Sequence, residues 1–168
     1  MQRRSLLTLA AAGAVLALTG CGFELRKAPN FAFGSLFSPL GENSPVGVEL
    51  KRLLQYGDRV RVITDPRQIN TADVILDVLG DKRERVVVGL NASGQVREFQ
   101  LRLTFRFKLR TPQGKELIPD TEVVQQRDLS YSESAALAKE SEEALLYRDM
   151  ERDIVQQISR RLAAVQSL

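Results

Sequence analysis

The chain has 168 residues, 43% of them apolar and 27% charged, which is the balance of a globular domain. It contains no histidine, no tryptophan and one cysteine. That inventory leaves no ligand set for zinc, haem or iron–sulfur clusters and rules out Ser-His-Asp and Cys-His catalysis and any disulfide within the chain. The formal charge of +3 falls to +1 once Arg3 and Arg4 are set aside, so bulk nucleic-acid binding is not implied.

Arg3 and Arg4 precede an uncharged, mostly apolar run over residues 6–19, closed by Leu18-Thr19-Gly20-Cys21. A basic start, a short apolar stretch and small residues at a cut describe a secretory signal peptide, and the run is too short for a comfortable membrane span. The cysteine directly after Gly20 resembles a bacterial lipobox, whose cysteine sulfur is acylated before cleavage. Residues 1–20 are then a signal peptide. Residues 21–168 are one mature domain carrying several acyl chains on Cys21, enough for stable anchoring. Lipoproteins held at the inner membrane carry aspartate after the cysteine. Gly22 stands here instead and points to the outer membrane.

Phe31, Phe33 and Phe37 lie at even spacings and predict an entry strand with its aromatics on one face. Gly41, Asn43 and Ser44 punctuate a loop. Ser44-Pro45 then opens a helix, with Ser44 as N-cap and proline at the first helical position, where its missing N–H costs nothing. Val46, Leu50, Leu53 and Leu54 form its apolar stripe, and Gly57 is the expected C-cap. Three β-like segments follow at 59–64, 73–79 and 84–90, broken at Asp65-Pro66 and Asp81-Lys82. Asn91-Ala92-Ser93-Gly94 is a hairpin turn.

Residues 98–110 show strict alternation. Phe99, Leu101, Leu103, Phe105, Phe107 and Leu109 are apolar, and every residue between them is polar, so one strand face is buried and the other wet. Pro112-Gln113-Gly114 turns the chain into a weaker strand around 122–129. From about Ser134 the period changes to that of a long amphipathic helix. Leu146, Met150, Ile154, Ile158 and Leu162 form its apolar row, Ala138 and Leu145 stand beside it, and Glu142 and Glu151 are read as solvent-facing.

Charge is distributed unevenly. Eight basic residues lie between Lys82 and Arg110, opposed only by Glu84 and Glu98, whereas residues 133–153 are predominantly acidic. Arg102, Arg106, Lys108 and Arg110 must share the wet strand face, a row that fits a ligand bearing several phosphates or carboxylates. Arg97, beside the turn, is a further candidate, and the Lys82-Arg83-Arg85 segment is the next basic cluster. The more ordinary reading of the same row is a solvated face, or pairing to acids on a neighbouring strand, since charge runs usually mean solvent.

Several segments resemble one family. Cys21-Gly22-Phe23-Glu24-Leu25-Arg26 is similar to the mature start of the LPS-assembly lipoprotein LptE family, and Gly94 to Leu101 resembles its turn-and-strand segment. Arg127, Tyr131 and Leu137 to Glu143 resemble its strand-to-helix junction. Asp149-Met150 and Arg161-Leu162 fit its C-terminal helix. Glu24 and Lys27 depart from the pattern. The resemblance implies an α+β fold, with two helices packed on a mixed, largely antiparallel four- to five-stranded sheet, and no cofactor or catalytic residue. It also implies a lipid-anchored outer-membrane protein on the periplasmic side, which plugs and helps assemble the β-barrel LptD and binds lipopolysaccharide during delivery to the outer leaflet. The basic strand, with Arg97, Arg102, Arg106, Lys108 and Arg110, is the region to which the lipopolysaccharide role transfers. The alternative is a periplasmic adaptor lipoprotein of another envelope complex.

Overall fold

The alternating segment is the middle strand of an antiparallel meander. A computed structural model describes residues 29–40, 43–56 and 59–168. In it the alternating strand runs over Val96–Arg110, flanked by two partners of similar length. In chain order the elements are β1 (Ser35–Phe37), α1 (Pro45–Gln55), β2 (Arg61–Ile63), a 3₁₀ turn (Pro66–Thr71), β3 (Val74–Leu90), β4 (Val96–Arg110), β5 (Glu116–Ser130), a second 3₁₀ turn (Glu133–Ala135) and α2 (Ala136–Ala163). The strand order is β2-β1-β3-β4-β5. β1 is parallel to both β2 and β3, and β3, β4 and β5 form an antiparallel meander. The expected class is observed: an α+β fold with a five-stranded mixed sheet and two α-helices. The signal segment, Cys21, Gly41 and the expected C-cap Gly57 lie outside the described residues.

Local chemistry explains where elements begin. Ser44 Oγ accepts from the Gly47 N–H at 3.0 Å and donates to Asp81 Oδ2 at 2.6 Å, so one hydroxyl caps α1 and ties it to β3. Ser44→Ala is expected to cost about 1 kcal/mol, the usual value of a lost N-cap, read as a lower denaturant midpoint with an unchanged slope. β1 is only three residues long and is held by side chains as well as backbone. Asp73 Oδ2 accepts from the N–H groups of Gly34 (2.9 Å) and Ser35 (2.8 Å), while Ser35 Oγ accepts from the Asp73 N–H at 2.9 Å. The hairpin forms as expected, with Asn91 Oδ1 accepting from the N–H groups of Ser93 and Gln95, and Gly94 at φ +76°.

Three expectations are corrected. The segments 73–79 and 84–90 are one 17-residue strand, and Asp81-Lys82 does not break it. The irregularity is a register shift between Val78 and Gly80 opposite β4, which absorbs one extra residue without ending the ladder. The last strand is longer than its pattern, because pairing with β4 recruits residues from Glu116 onwards. The phenylalanines do not share a face. Phe33 joins the main core and Phe31 packs at its border, but Phe37 lies in a separate cluster with Ile63, Ala72 and Ile75. Only Ser35–Phe37 is strand, so the period of two does not extend back to Phe31.

The main core lies between the sheet and both helices. Leu101, Leu103, Phe105, Phe107 and Leu109 of β4 are fully buried, as are Met150, Ile154, Ile158 and Leu162 of α2. Leu146 and Val165 pack at its border. Ala138 and Leu145 do not belong to the buried row: Ala138 is exposed and Leu145 is 55% exposed. Among the described residues no helix is long and apolar enough to cross a membrane.

Candidate functional site: the uncovered sheet face

Both helices pack on one side, and among the described residues no helix covers the other side of β3, β4 and β5. Strands of about 15 residues at roughly 3.4 Å each make this face on the order of 50 Å long. At the β1 end it is closed by the small cluster of Phe37, Ile63, Ala72 and Ile75, against which Ile69 of the 3₁₀ turn packs. Beyond that cluster the face is mainly polar, with Val86 and Val124 exposed on it opposite Gln100 and Thr104.

Arg102, Arg106, Lys108 and Arg110 share this face, as alternation requires, but they are not equivalent. Arg110 Nε donates to Asp77 Oδ2 at 2.7 Å and its Nη2 to Oδ1 at 3.3 Å, a two-pronged contact across to β3. Lys108 Nζ lies 3.8 Å from the same carboxylate. Arg106 grips Asp120 of β5 with Nε at 2.7 Å and with Nη2. These contacts hold the Arg106 and Arg110 guanidinium groups further above their usual pKa and hold the Asp120 carboxyl below the usual carboxylate range. Arg102 donates only to the Gln100 side-chain oxygen, at 3.2 Å. Its cross-strand neighbour Glu84 is engaged by Lys82 at 2.7 Å, a hydrogen bond that lowers the Glu84 pKa. The basic row is therefore largely neutralised by acids on both neighbouring strands, and Arg102 is its cation with no carboxylate contact among the described residues.

Arg97 is not part of the row. Leu90 pairs with Val96 and Gly89 with Glu98, so Arg97 is the extra residue of a bulge at the hairpin. It lies five residues, about 17 Å along the strand, from Arg102. Arg83 and Arg85 face the helices instead. Arg83 pairs with Glu151 of α2 and stands 5.0 Å over the Tyr147 ring. Arg85 pairs with Glu143 at 3.2 Å and stacks 3.7 Å over Phe99, which meets Tyr131 edge-on. The Tyr147 hydroxyl donates to the Glu84 carbonyl at 2.9 Å, and burial raises its pKa. These groups fasten α2 to the distal half of β3.

Sequence reasoning did not identify Asp77, Asp120 and Glu84 as members of this face. Only their side-chain parity within each strand was available, and register shifts in both ladders put that parity out of step.

A two-layer α+β domain with one sheet face covered by helices and the other left open, charged and ordered by cross-strand pairs defines a surface-presenting module. This chain belongs to the LptE family, described as Lipopolysaccharide-assembly, whose family model matches residues 35–162. It is 28% identical over 166 residues to the LPS-assembly lipoprotein LptE of Pectobacterium atrosepticum, covering 97% of this chain and 88% of that one. It is also 28% identical to the LPS-assembly lipoprotein LptE of Yersinia pestis, covering 97% of this chain and 78% of the relative. Among solved structures it is similar to an uncharacterized lipoprotein B from Nitrosomonas europaea, with 31% identity, a TM-score of 0.69 and coverage of 85% of this chain and 91% of that one.

Proposed function

We infer that this protein is a lipid-anchored component of the outer membrane, without catalytic activity, that fills the lumen of the LptD β-barrel and offers its open sheet face to lipopolysaccharide. The observation that carries this reading is the uncovered meander, on which paired charges line a face about 50 Å long and Arg102 keeps a guanidinium fork without a carboxylate contact. A barrel lumen is polar, so a face of satisfied ion pairs suits a plug better than an apolar face would. Lipid A phosphates are doubly charged acceptors that an arginine fork engages in two-pronged fashion. The family supports lipopolysaccharide assembly, and the lone cysteine after Leu18-Thr19-Gly20 supports acylation at Cys21.

Extraction in mild detergent, followed by identification of the co-purifying protein, tests the partner. A large β-barrel is expected, and a different envelope complex would favour the adaptor reading. Mass spectrometry of the mature N-terminus should find an acylated Cys21, and an unmodified residue would refute the anchor. For the ligand, Arg102→Ser is expected to weaken lipopolysaccharide capture by about 1.5–3 kcal/mol, the worth of a charge-assisted hydrogen bond. Changing Arg102, Arg106 and Lys108 together should weaken it further, because Asp120 loses its cation and would then repel phosphate, while Asp77 stays paired with Arg110. The deficit should be most visible at low salt. Unchanged capture in the triple variant would remove this face from the ligand site.

A further inference from the structure

The described chain begins at one end of the domain, and Pro29 there forms one wall of a cleft of about 280 Å³. Its other apolar walls are Phe31, Leu53 and Tyr56, and its charged lining is Arg52, Arg59 and Glu49. Tyr56, just past α1, is 75% exposed, so its ring is accessible at the mouth of the cleft with its polar hydroxyl beside an apolar body. Arg52 extends into solvent and, among the described residues, pairs with the neighbouring Glu49 at 2.5 Å; Lys51 and Arg61 are exposed nearby in sequence. Arg59 Nη1 donates to the Pro29 carbonyl at 3.2 Å, so the cation is tied to the incoming chain.

Position decides which partner this cleft meets. Seven residues lie between Cys21 and Pro29, eight steps along the chain and a reach of at most about 28 Å. With Cys21 acylated, the cleft cannot leave the neighbourhood of the bilayer surface. Tyrosine and arginine beside an apolar recess are the composition of an interfacial contact, with the ring at headgroup level and the guanidinium groups on phosphate.

We propose that this cleft is a phospholipid seat, on which the anchored domain docks by taking an anionic headgroup between Arg52 and Arg59 while Phe31, Leu53 and Tyr56 meet the upper acyl chain. The inference rests on the acylation of Cys21 argued above. It makes the lipid anchor the first of two membrane signals and sets the orientation of the domain before any protein partner is engaged.

The absence of tryptophan makes the test direct, because a single introduced indole is the only one in the protein. The acylated full-length protein carrying Tyr56→Trp is reconstituted into phosphatidylglycerol-containing vesicles with brominated acyl chains. A second protein carries Val88→Trp, which reports from the far end of β3. Flotation scores the anchor, and quenching scores the seat. Emission of the Tyr56→Trp protein should shift to the blue and be quenched, and that of the Val88→Trp protein should not. Adding Arg52→Ser and Arg59→Ser should abolish the quenching while leaving flotation and melting unchanged, since each arginine near an anionic surface is worth about fivefold in the docking equilibrium. If the Tyr56→Trp protein floats but is quenched no more than the Val88→Trp protein, the seat is overturned and the anchor stands. Protein that does not float and shows no quenching would overturn both. Quenching indifferent to the double serine change would overturn the headgroup contact.

Discussion

Ile154→Asp is expected to unfold the domain or leave it barely folded. Ile154 is fully buried between α2 and the sheet, in line with Met150, Ile158 and Leu162. A carboxylate there has no cation to meet and must be either ionised in an apolar setting or protonated at a cost. The loss is on the order of 4 kcal/mol or more, against a total stability of about 5–15 kcal/mol for typical domains. Met150→Asp should behave alike. Glu142→Ala is the matched control: Glu142 is exposed on the same helix and pairs only with Lys139 three residues earlier, so its loss should stay within about 0.5 kcal/mol. Thermal and denaturant melts measure all three. Aspartate variants that melt like the parent would mean that α2 does not pack as described.

The second large effect belongs to Glu151, and it reverses a sequence expectation. Its charge suggests a solvent-facing position on α2, yet it is only 8% exposed and pairs with Arg83. Glu151→Ala is expected to cost about 1–2 kcal/mol, because Arg83 then loses its partner while remaining partly solvated. Burial, opposed by Arg83, leaves the Glu151 carboxyl above the ordinary glutamate value. The sign follows from linkage. The native state binds this proton more tightly than the unfolded chain, so the contribution is complete below the unfolded pKa and is lost as pH rises through the folded one. Glu151→Gln keeps the volume and an acceptor for Arg83, should cost less than about 1 kcal/mol, and should flatten that part of the pH–stability profile. An alanine variant as stable as the parent, with the same pH profile, would show the pair to be energetically idle.

These two residues mark the boundary between what was legible in the chain and what was not. The row through Ile154 needs only the 3.6-residue period to be seen. Glu151 lies one residue from Met150, close to the edge of the same stripe, and its burial depends on Arg83 reaching over from β3. Nothing local to the helix contains that information. The same applies to Arg85, which sits in a basic run yet serves as a stacked, paired fastener against Phe99 and Glu143.

The open face shows the same division. That Arg102, Arg106, Lys108 and Arg110 lie together followed from alternation alone. Whether they are free did not, because their partners come from β3 and β5, and both ladders contain register shifts. Each shift adds a residue to one strand and puts its parity out of step with the partner. Asp77 thereby comes under Lys108 and Arg110, Asp120 comes under Arg106, and Arg97 is set apart.

By itself the sequence determined everything that a single element's period or a short motif encodes. That covers the half-buried strand β4, the Ser44-Pro45 helix start, the Asn91–Gly94 turn, the apolar row of α2, the lipobox pattern ending at Cys21 and the family. The tertiary structure alone decided that β3 is continuous, that Phe37 leaves the main core, that Arg83 and Arg85 hold α2, and which cations of the exposed row are already paired. The physical reason is one of range. Periodicity and capping act over a few residues through backbone geometry, whereas pairing is set by register between strands, and one extra residue at a bulge reassigns every partner beyond it.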